Sequence, residues 1–332
     1  MPEISRILAT LASAPGLPAA LATLVKVEGS SYRRPGARLL LLADGRRVGS
    51  ISGGCLEDDV VLRAQQVLAD GRATTAVYDT TTENDLVWGV GLGCQGVVHL
   101  VIEPLPPVRP AWLGALADNL RARRDTALAV RCAGEKPPGT CLAADLAECE
   151  RPAGTVFLET IAAPPALAIF GAGDDAQPLV RLAKEIGWHV TVIDARASYA
   201  TRERFPGADA VVVAAAAPWP AQLKPDARTF AVVMTHRFAE DVQLLRTLLP
   251  QPLAYLGLLG PRKRTDRLLG QLQVEGFNPD AMMLERLHAP VGLNLGGSTP
   301  ETIALSILAE MQSRRSGRQP GHLRDSAGPI HD

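Results

Sequence analysis

The chain has 332 residues, 47% of them hydrophobic, with 34 basic and 35 acidic side chains giving a formal charge of -1. That length and apolar content suit about two domains with sizeable cores. The balanced charge gives no electrostatic footprint for duplex nucleic acid, and no apolar run reaches the roughly 18 residues of a membrane span.

The opening MPEISRILATLASAPG carries an acidic residue near its front and reads as an amphipathic helix over 4–14, not as a signal peptide. ALATLVKVEG, ARLLLLADG and RRVGSIS follow as three strands, with Ala43-Asp-Gly-Arg46 as the turn between the last two. A helix is expected from Leu56 to Ala69, closed by Asp70-Gly71. TTAVYDTT and GVVHLVIEPL add strands. EPLPPVRP is a proline-rich break, followed by a helix in PAWLGALADNLRARR and strands in TALAVRC and TVFLETI.

IAAPPA is the second break and the preferred domain boundary. Beyond it strands and helices alternate: ALAIF, QPLVRLAKEIG, HVTVID, AVVVAA, FAVVM, AEDVQLLRTLLP and AYLGLLG. Such alternation implies a parallel sheet with right-handed crossovers. The expected fold class is α/β: an N-terminal α/β domain over 1–105, a bridging α/β segment over 106–162, and a C-terminal Rossmann-like doubly wound parallel-sheet domain over 163–314. Residues 315–332 are polar and read as a disordered tail.

The five cysteines are Cys55, Cys94, Cys132, Cys141 and Cys149. Their odd number, and the lack of any CxxC pair, speak against a disulfide framework and a structural zinc site. Reduced thiols in a soluble cytosolic protein are the simplest reading.

Three segments of the first domain can carry chemistry. In Gly29-Ser-Ser-Tyr-Arg-Arg-Pro-Gly-Ala37, Ser30 and Ser31 offer hydroxyls, and Arg33 and Arg34 offer guanidinium forks for phosphate or carboxylate. A solvated hairpin loop is the plain alternative. In GSISGGCLEDD, Ser52, Gly53 and Gly54 precede Cys55 at a helix start, where successive N–H groups can form an anion-binding nest. The helix terminus favours a thiolate at Cys55, and Glu57, Asp58 and Asp59 oppose it; a buried structural cysteine is the alternative. GVGLGCQG places Cys94 in a glycine-rich loop, which would bring a second thiol if it folds beside residues 52–55.

In the second domain, Gly171, Gly173 and Ala176 fit G-x-G-x-x-A after a strand, with Asp194 placed for a ribose hydroxyl. Asp174 and Asp175 would repel a pyrophosphate there, or simply cap the helix. Thr235 and His236 fall at a strand's carboxyl end, and YLGLLGPRKR ends in three cations that bind an anion or simply start a helix. Thr299, Pro300 and Glu301 mark a strong helix start whose N–H groups could also face a phosphate.

Taken in order, GSSYRRPGARLL, GSISGGCLE, GLGCQG, FGAGDDA, VTVIDAR, MTHRFAED, YLGLLGPRKR and APVGLNLGGSTPETIALSILAE resemble the XdhC/CoxI family, accessory proteins of xanthine dehydrogenase and related molybdenum hydroxylases. The resemblance implies a homodimeric chaperone that binds molybdenum cofactor (molybdopterin). It would support sulfuration of the cofactor with a cysteine desulfurase or sulfurtransferase, and deliver it to an apo molybdenum hydroxylase. Cys55 takes the role of the family thiol and possible molybdenum ligand, with Cys94 second. The chain departs from the family where many relatives read GAGHVA, and GCQG stands where GCGG-like runs occur, which fits a subfamily serving a carbon monoxide dehydrogenase-like enzyme. Two other classes remain open: an NAD(P)-dependent oxidoreductase using Gly171, Gly173 and Asp194, and a protein-interaction scaffold for the hydroxylase.

Overall fold

A computed structural model of the chain describes residues 2–79, 96–146, 154–215 and 225–325. The chain divides into two units, residues 1–163 and 164–332.

The first unit begins with α1 (Pro2–Ser13), β1 (Ala19–Gly29), β2 (Arg38–Leu42), β3 (Arg47–Gly49), α2 (Glu57–Asp70), β4 (Thr74–Asp79) and β5 (Gly96–Leu105). The five strands form one sheet in the order β3-β2-β1-β5-β4, with every neighbouring pair antiparallel. The run Arg38-Leu-Leu-Leu-Leu42 is apolar without alternation because both faces of β2 are covered. Leu39 and Leu41 pack with Val60, Ala64 and Val67 of α2. Leu40 and Leu42 pack with Ile4, Ile7 and Leu11 of α1 and with Trp112, Leu113 and Leu116 of α3 (Ala111–Arg121). RRVGSIS keeps strand structure only to Gly49, because the backbone beyond it turns to a carboxylate described below.

Residues 106–162 belong to this unit. After α3 they form a three-stranded antiparallel sheet, β7-β6-β8, from β6 (Thr126–Arg131), β7 (Gly139–Leu142) and β8 (Val156–Ile161). A buried charge network joins the two sheets. Arg38 of β2 is 2% exposed; its guanidinium pairs with Glu159 of β8 and donates to the Gly36 carbonyl at 2.8 Å. Burial pulls the guanidinium down to about 10, against the opposing fields of Glu103 and Glu3. Glu103 of β5 is buried and raised by desolvation, despite bonds from the Thr140 hydroxyl and N–H.

The second unit contains β9 (Ala166–Phe170), α4 (Ala176–Glu185), β10 (His189–Asp194), β11 (Ala210–Val213), β12 (Thr229–Val233), α5 (Phe238–Leu248), β13 (Tyr255–Leu258), α6 (Arg262–Val274), α7 (Ala281–Glu285), β14 (Leu287–His288) and α8 (Pro300–Ser316). Its six strands are parallel in the order β11-β10-β9-β12-β13-β14, the doubly wound Rossmann arrangement. Alternate residues of β9 serve opposite layers. Leu167 and Ile169 pack with α4 and α8, while Ala168 and Phe170 pack with α5 and α6. The order reverses between β9 and β12, so the ends of these strands form the switch point where ligands of such sheets bind.

Thr299 caps α8 as expected, and Thr302 returns the bond to complete a capping box. The segment read as a tail from residue 315 starts with the last turn of α8, closes at Gly317 and includes a 3-10 turn at Leu323–Asp325.

The buried guanidinium yields a first test. Truncating Glu159 to alanine leaves Arg38 without its paired carboxylate and should cost about 3–5 kcal/mol. Urea unfolding of Glu159→Ala reads this as a lower midpoint; an unchanged midpoint would show that Glu103 and solvent suffice.

Candidate functional site

Why does Cys55 face solvent after two glycines? The answer lies two residues further on. Glu57, in the first turn of α2, is a buried carboxylate that folds back on the preceding loop. Its Oε1 accepts from Ser50 Oγ at 2.8 Å and from the N–H groups of Ile51 at 3.0 Å, Ser52 at 2.8 Å and Gly53 at 3.2 Å. Its Oε2 accepts from Gly54 N at 2.8 Å and from the Ser52 hydroxyl. Ser52 Oγ in turn accepts from Leu56 N at 2.9 Å, supplying the cap that Leu56 lacks. Wrapping the chain this tightly needs positive φ at Gly53 (94°) and Gly54 (131°), where a side chain would be strained.

The nest expected at residues 52–54 therefore exists, but the protein's own carboxylate occupies it. Ser52, Gly53 and Gly54 are spent on Glu57 and are not free donors for an external anion. Desolvation pushes the Glu57 carboxyl up. The bonds from the Ser52 hydroxyl and N–H, Ser50 and Ile51 outweigh it and hold the group at about 2. What the loop displays instead is Cys55, which is exposed, whereas Cys132 and Cys141 are half-buried. Among the described residues no group of three or more His, Cys, Asp or Glu is arranged to hold a metal ion.

Two neighbours frame this thiol loop. A Cβ on Gly53 would lie 2.8 Å from the Tyr32 ring, so the serine–arginine loop of residues 30–37 packs directly on the glycine turn. The register pairs Gly29 with Gly96, and a Cβ on Gly96 would lie 2.2 Å from the Ser30 carbonyl. The glycine-rich segment thus ends beside Ser30, while Cys94 itself lies outside the described residues. Ser30 and Arg34 are exposed and Ser31 is partly so. Arg33 is not a free fork: its Nη2 is 2.5 Å from Glu3 Oε2 of α1.

In the second unit the switch point is similarly filled from within. A Cβ on Gly171 would lie 2.4 Å from the Met234 carbonyl, so only glycine lets the turn after β9 pass the end of β12. Asp194 does not wait for a ribose. Its Oδ1 accepts from Arg196 N and Nε at 2.8 and 2.9 Å, and its Oδ2 accepts from Ala172 N and Arg196 Nη2 at 2.8 and 2.7 Å. Those four bonds use its acceptor positions. Burial raises this carboxyl, and the Arg196 and Ala172 bonds overcome that and lower it to about 2.

Neither aspartate of the turn caps α4. Asp174 pairs with Arg204 at 2.8 Å, and Asp175 Oδ2 lies 2.9 Å from His236 Nε2. Asp175 Oδ1 stands 2.7 Å from the position of a Cβ on Gly173, in the space a pyrophosphate approaches. His236 has φ 62°, a left-handed conformation uncommon for a non-glycine residue. Beside it, the Thr235 hydroxyl donates to Asp241 at 2.5 Å and Arg264 pairs with Asp241 at 2.6 Å, so one cation of the Arg262–Arg264 run is internal. A cleft of only about 10 Å³ lies at these strand ends, lined by Gly171, Asp194, Ala214, Thr235 and Glu240 among others. That is the room of a single water molecule. The carboxylates of Asp194 and Glu240 at this cleft disfavour a dinucleotide phosphate.

Comparison with known proteins gives this geometry a lineage. The family model described as XdhC and CoxI family matches residues 12–79, and that described as XdhC Rossmann domain matches residues 167–311. The Bacillus subtilis (strain 168) protein named as a probable xanthine dehydrogenase subunit is 34% identical over 320 residues, covering 90% of this chain and 93% of its own. The chain belongs to the XdhC and CoxI family. A crystal structure described as a xanthine dehydrogenase from Bacillus halodurans matches with a TM-score of 0.79 at 33% identity, covering 98% of each chain. PaoD of Escherichia coli (strain K12), named a molybdenum cofactor insertion chaperone, is 26% identical over 302 residues, covering 90% of this chain and 84% of its own. In this XdhC and CoxI family member, the thiol loop lies within the first family match and the switch point within the second.

Glu57 corrects the sequence reading, in which it figures only as a charge opposing the thiol. A glutamate in the first helical turn, behind four potential N–H donors, is the signal that could have revealed its part. Because its carboxyl is lowered on folding, it stabilises the fold fully above about pH 4.5, its ordinary value, and that contribution is lost as pH falls toward about 2. Glu57→Gln should flatten the acid limb of the stability curve over that interval. It should also cost about 2–3 kcal/mol at neutral pH, as the anionic acceptor is lost. A pH-stability profile superimposable on wild type would contradict this.

Proposed function

We propose that this chain binds molybdenum cofactor as cargo, with the Cys55 thiol as a soft ligand for the metal. The observation that carries the reading is an exposed thiol presented on a loop whose conformation is set by a buried carboxylate. A thiol needed only for packing would not require such a scaffold, and thiolate suits a transition metal. The relative named a molybdenum cofactor insertion chaperone supports the same cargo. The chain would work in the cytoplasm as a homodimer, keep the cofactor during sulfuration by a cysteine desulfurase or sulfurtransferase partner, and pass it to an apo hydroxylase of the xanthine dehydrogenase or carbon monoxide dehydrogenase kind. Cys94 stands as a second thiol of the same proposal.

The carrier reading has more support than the oxidoreductase one. An NAD(P) enzyme needs its phosphate turn open and its ribose acid available, and here Asp175 and the Arg196–Asp194 pair take those places.

The test is molybdenum retention by the purified full chain after loading with cofactor, measured by elemental analysis. Wild type should retain metal, and Cys55→Ala should lose most of it, while Cys132→Ala keeps it. Equal retention by wild type and Cys55→Ala would remove Cys55 from the site. Hydroxylase capture that is unchanged by cofactor and by Cys55→Ala would favour a plain scaffold.

A further inference from the structure

The first unit contains a second feature that neither the thiol loop nor the family comparison explains. A cleft of about 440 Å³ lies between α1 and β3, lined by Glu3, Arg6, Thr10, Arg33, Arg47 and Ser50 among others. That volume falls within the range of small-molecule sites. Glu3, Arg6 and Thr10 recur at helical spacing and share one face of α1. The opposite face, Ile4, Ile7 and Leu11, packs into the core. Arg47 comes from β3 at the edge of the sheet, and Arg33 from the loop before β2.

Three arginines and one carboxylate thus line the same cleft, and only Arg33 pairs with that carboxylate. Glu3 is already committed twice, to Arg33 Nη2 at 2.5 Å and to Arg38 N at 2.8 Å. Among the described residues, the side chains of Arg6 and Arg47 have no hydrogen-bonded or ion-paired partner. The cleft therefore keeps an excess of about two positive charges, alongside the Thr10 hydroxyl, while the Ser50 hydroxyl is spent on Glu57. That combination matches a phosphate monoester dianion, whose oxygens accept paired N–H bonds.

We propose that this cleft binds a phosphate monoester, with Arg6 and Arg47 as its principal ligands and Arg33, shared with Glu3, as the third. Glu3 competes with the ligand for Arg33 and tempers affinity. The cleft is wired to the thiol loop through Ser50. Its hydroxyl and the N–H of Gly54, the residue before Cys55, both donate to the one Glu57 carboxylate, each at 2.8 Å. That the ester is the phosphate end of the pterin cargo rests on the carrier reading above; the preference for phosphate does not.

The experiment uses the full chain with inorganic phosphate as probe, titrated by calorimetry at ionic strength held constant with chloride. Wild type should bind phosphate in preference to chloride. Each arginine lost should weaken binding by about tenfold, and Arg6→Gln/Arg47→Gln more than either single variant. Glu3→Gln, which still accepts the Arg38 N–H, should bind several-fold more tightly, a gain that mere misfolding cannot produce. Phenyl phosphate, a simple monoester, should compete with inorganic phosphate for the same site. Wild type indifferent to phosphate, a double variant with wild-type affinity, or failure of the monoester to compete would overturn the proposal. Molybdenum retention is measured in parallel. Lost phosphate selectivity with retained molybdenum defeats the cleft alone, and intact phosphate binding with no molybdenum in wild type defeats the carrier reading alone.

Discussion

The geometry of the first unit's site depends on one carboxylate. Glu57 gathers four consecutive backbone N–H groups and two serine hydroxyls into a single buried acceptor. Backbone donors buried without partners are costly, so a loop of Ser, Ile, Ser and two glycines would not hold this shape by itself. With the carboxylate in place, the loop is fixed, α2 receives a cap from Ser52, and the next side chain in line, Cys55, is turned to solvent. The backbone that carries the thiol is thereby ordered before any contact is made, which lowers the entropy still to be lost if Cys55 is engaged.

The same device recurs at the switch point of the second unit. There the turn after β9 has the glycines of a dinucleotide fold, yet Asp194 takes the Ala172 N–H and the Arg196 fork. Asp175, against His236, fills the ground over Gly173. In both units a turn that resembles an anion receptor is satisfied by the chain's own acid. The Rossmann architecture by itself therefore does not assign a nucleotide ligand to this unit.

Much of the fold was legible in the sequence because its signals are local and strong. The unbroken apolar run of β2, the alternation of strand and helix beyond residue 164, and Thr299-Pro300 before α8 all have direct structural counterparts. Nothing comparable marks β7, α7 or β14, which have four, five and two residues and are too short for a period to show. The turn at residues 43–46 announces the β2–β3 hairpin, but the pairing of β1 with β5 joins segments far apart in sequence and no local pattern encodes it. The site was legible only in part. The glycine turn before Cys55 is visible in the motif, whereas the exposure of the thiol and the packing of residues 30–37 on that turn emerge only in the structure. The pairing of Arg33 with Glu3 and the grouping of Arg6 with Arg47 depend on a helix and a strand far apart in sequence, which no local pattern encodes.

The thiol loop thus takes its shape from within the chain. Amide hydrogen exchange at Ile51, Ser52, Gly53 and Gly54 tests that claim most directly. All four N–H groups should be protected in the wild-type protein, and protection should collapse at these positions alone when Glu57 is replaced by alanine. Exchange at free-loop rates in wild type, or protection that survives the loss of the carboxylate, would show that something other than Glu57 holds Cys55 in place.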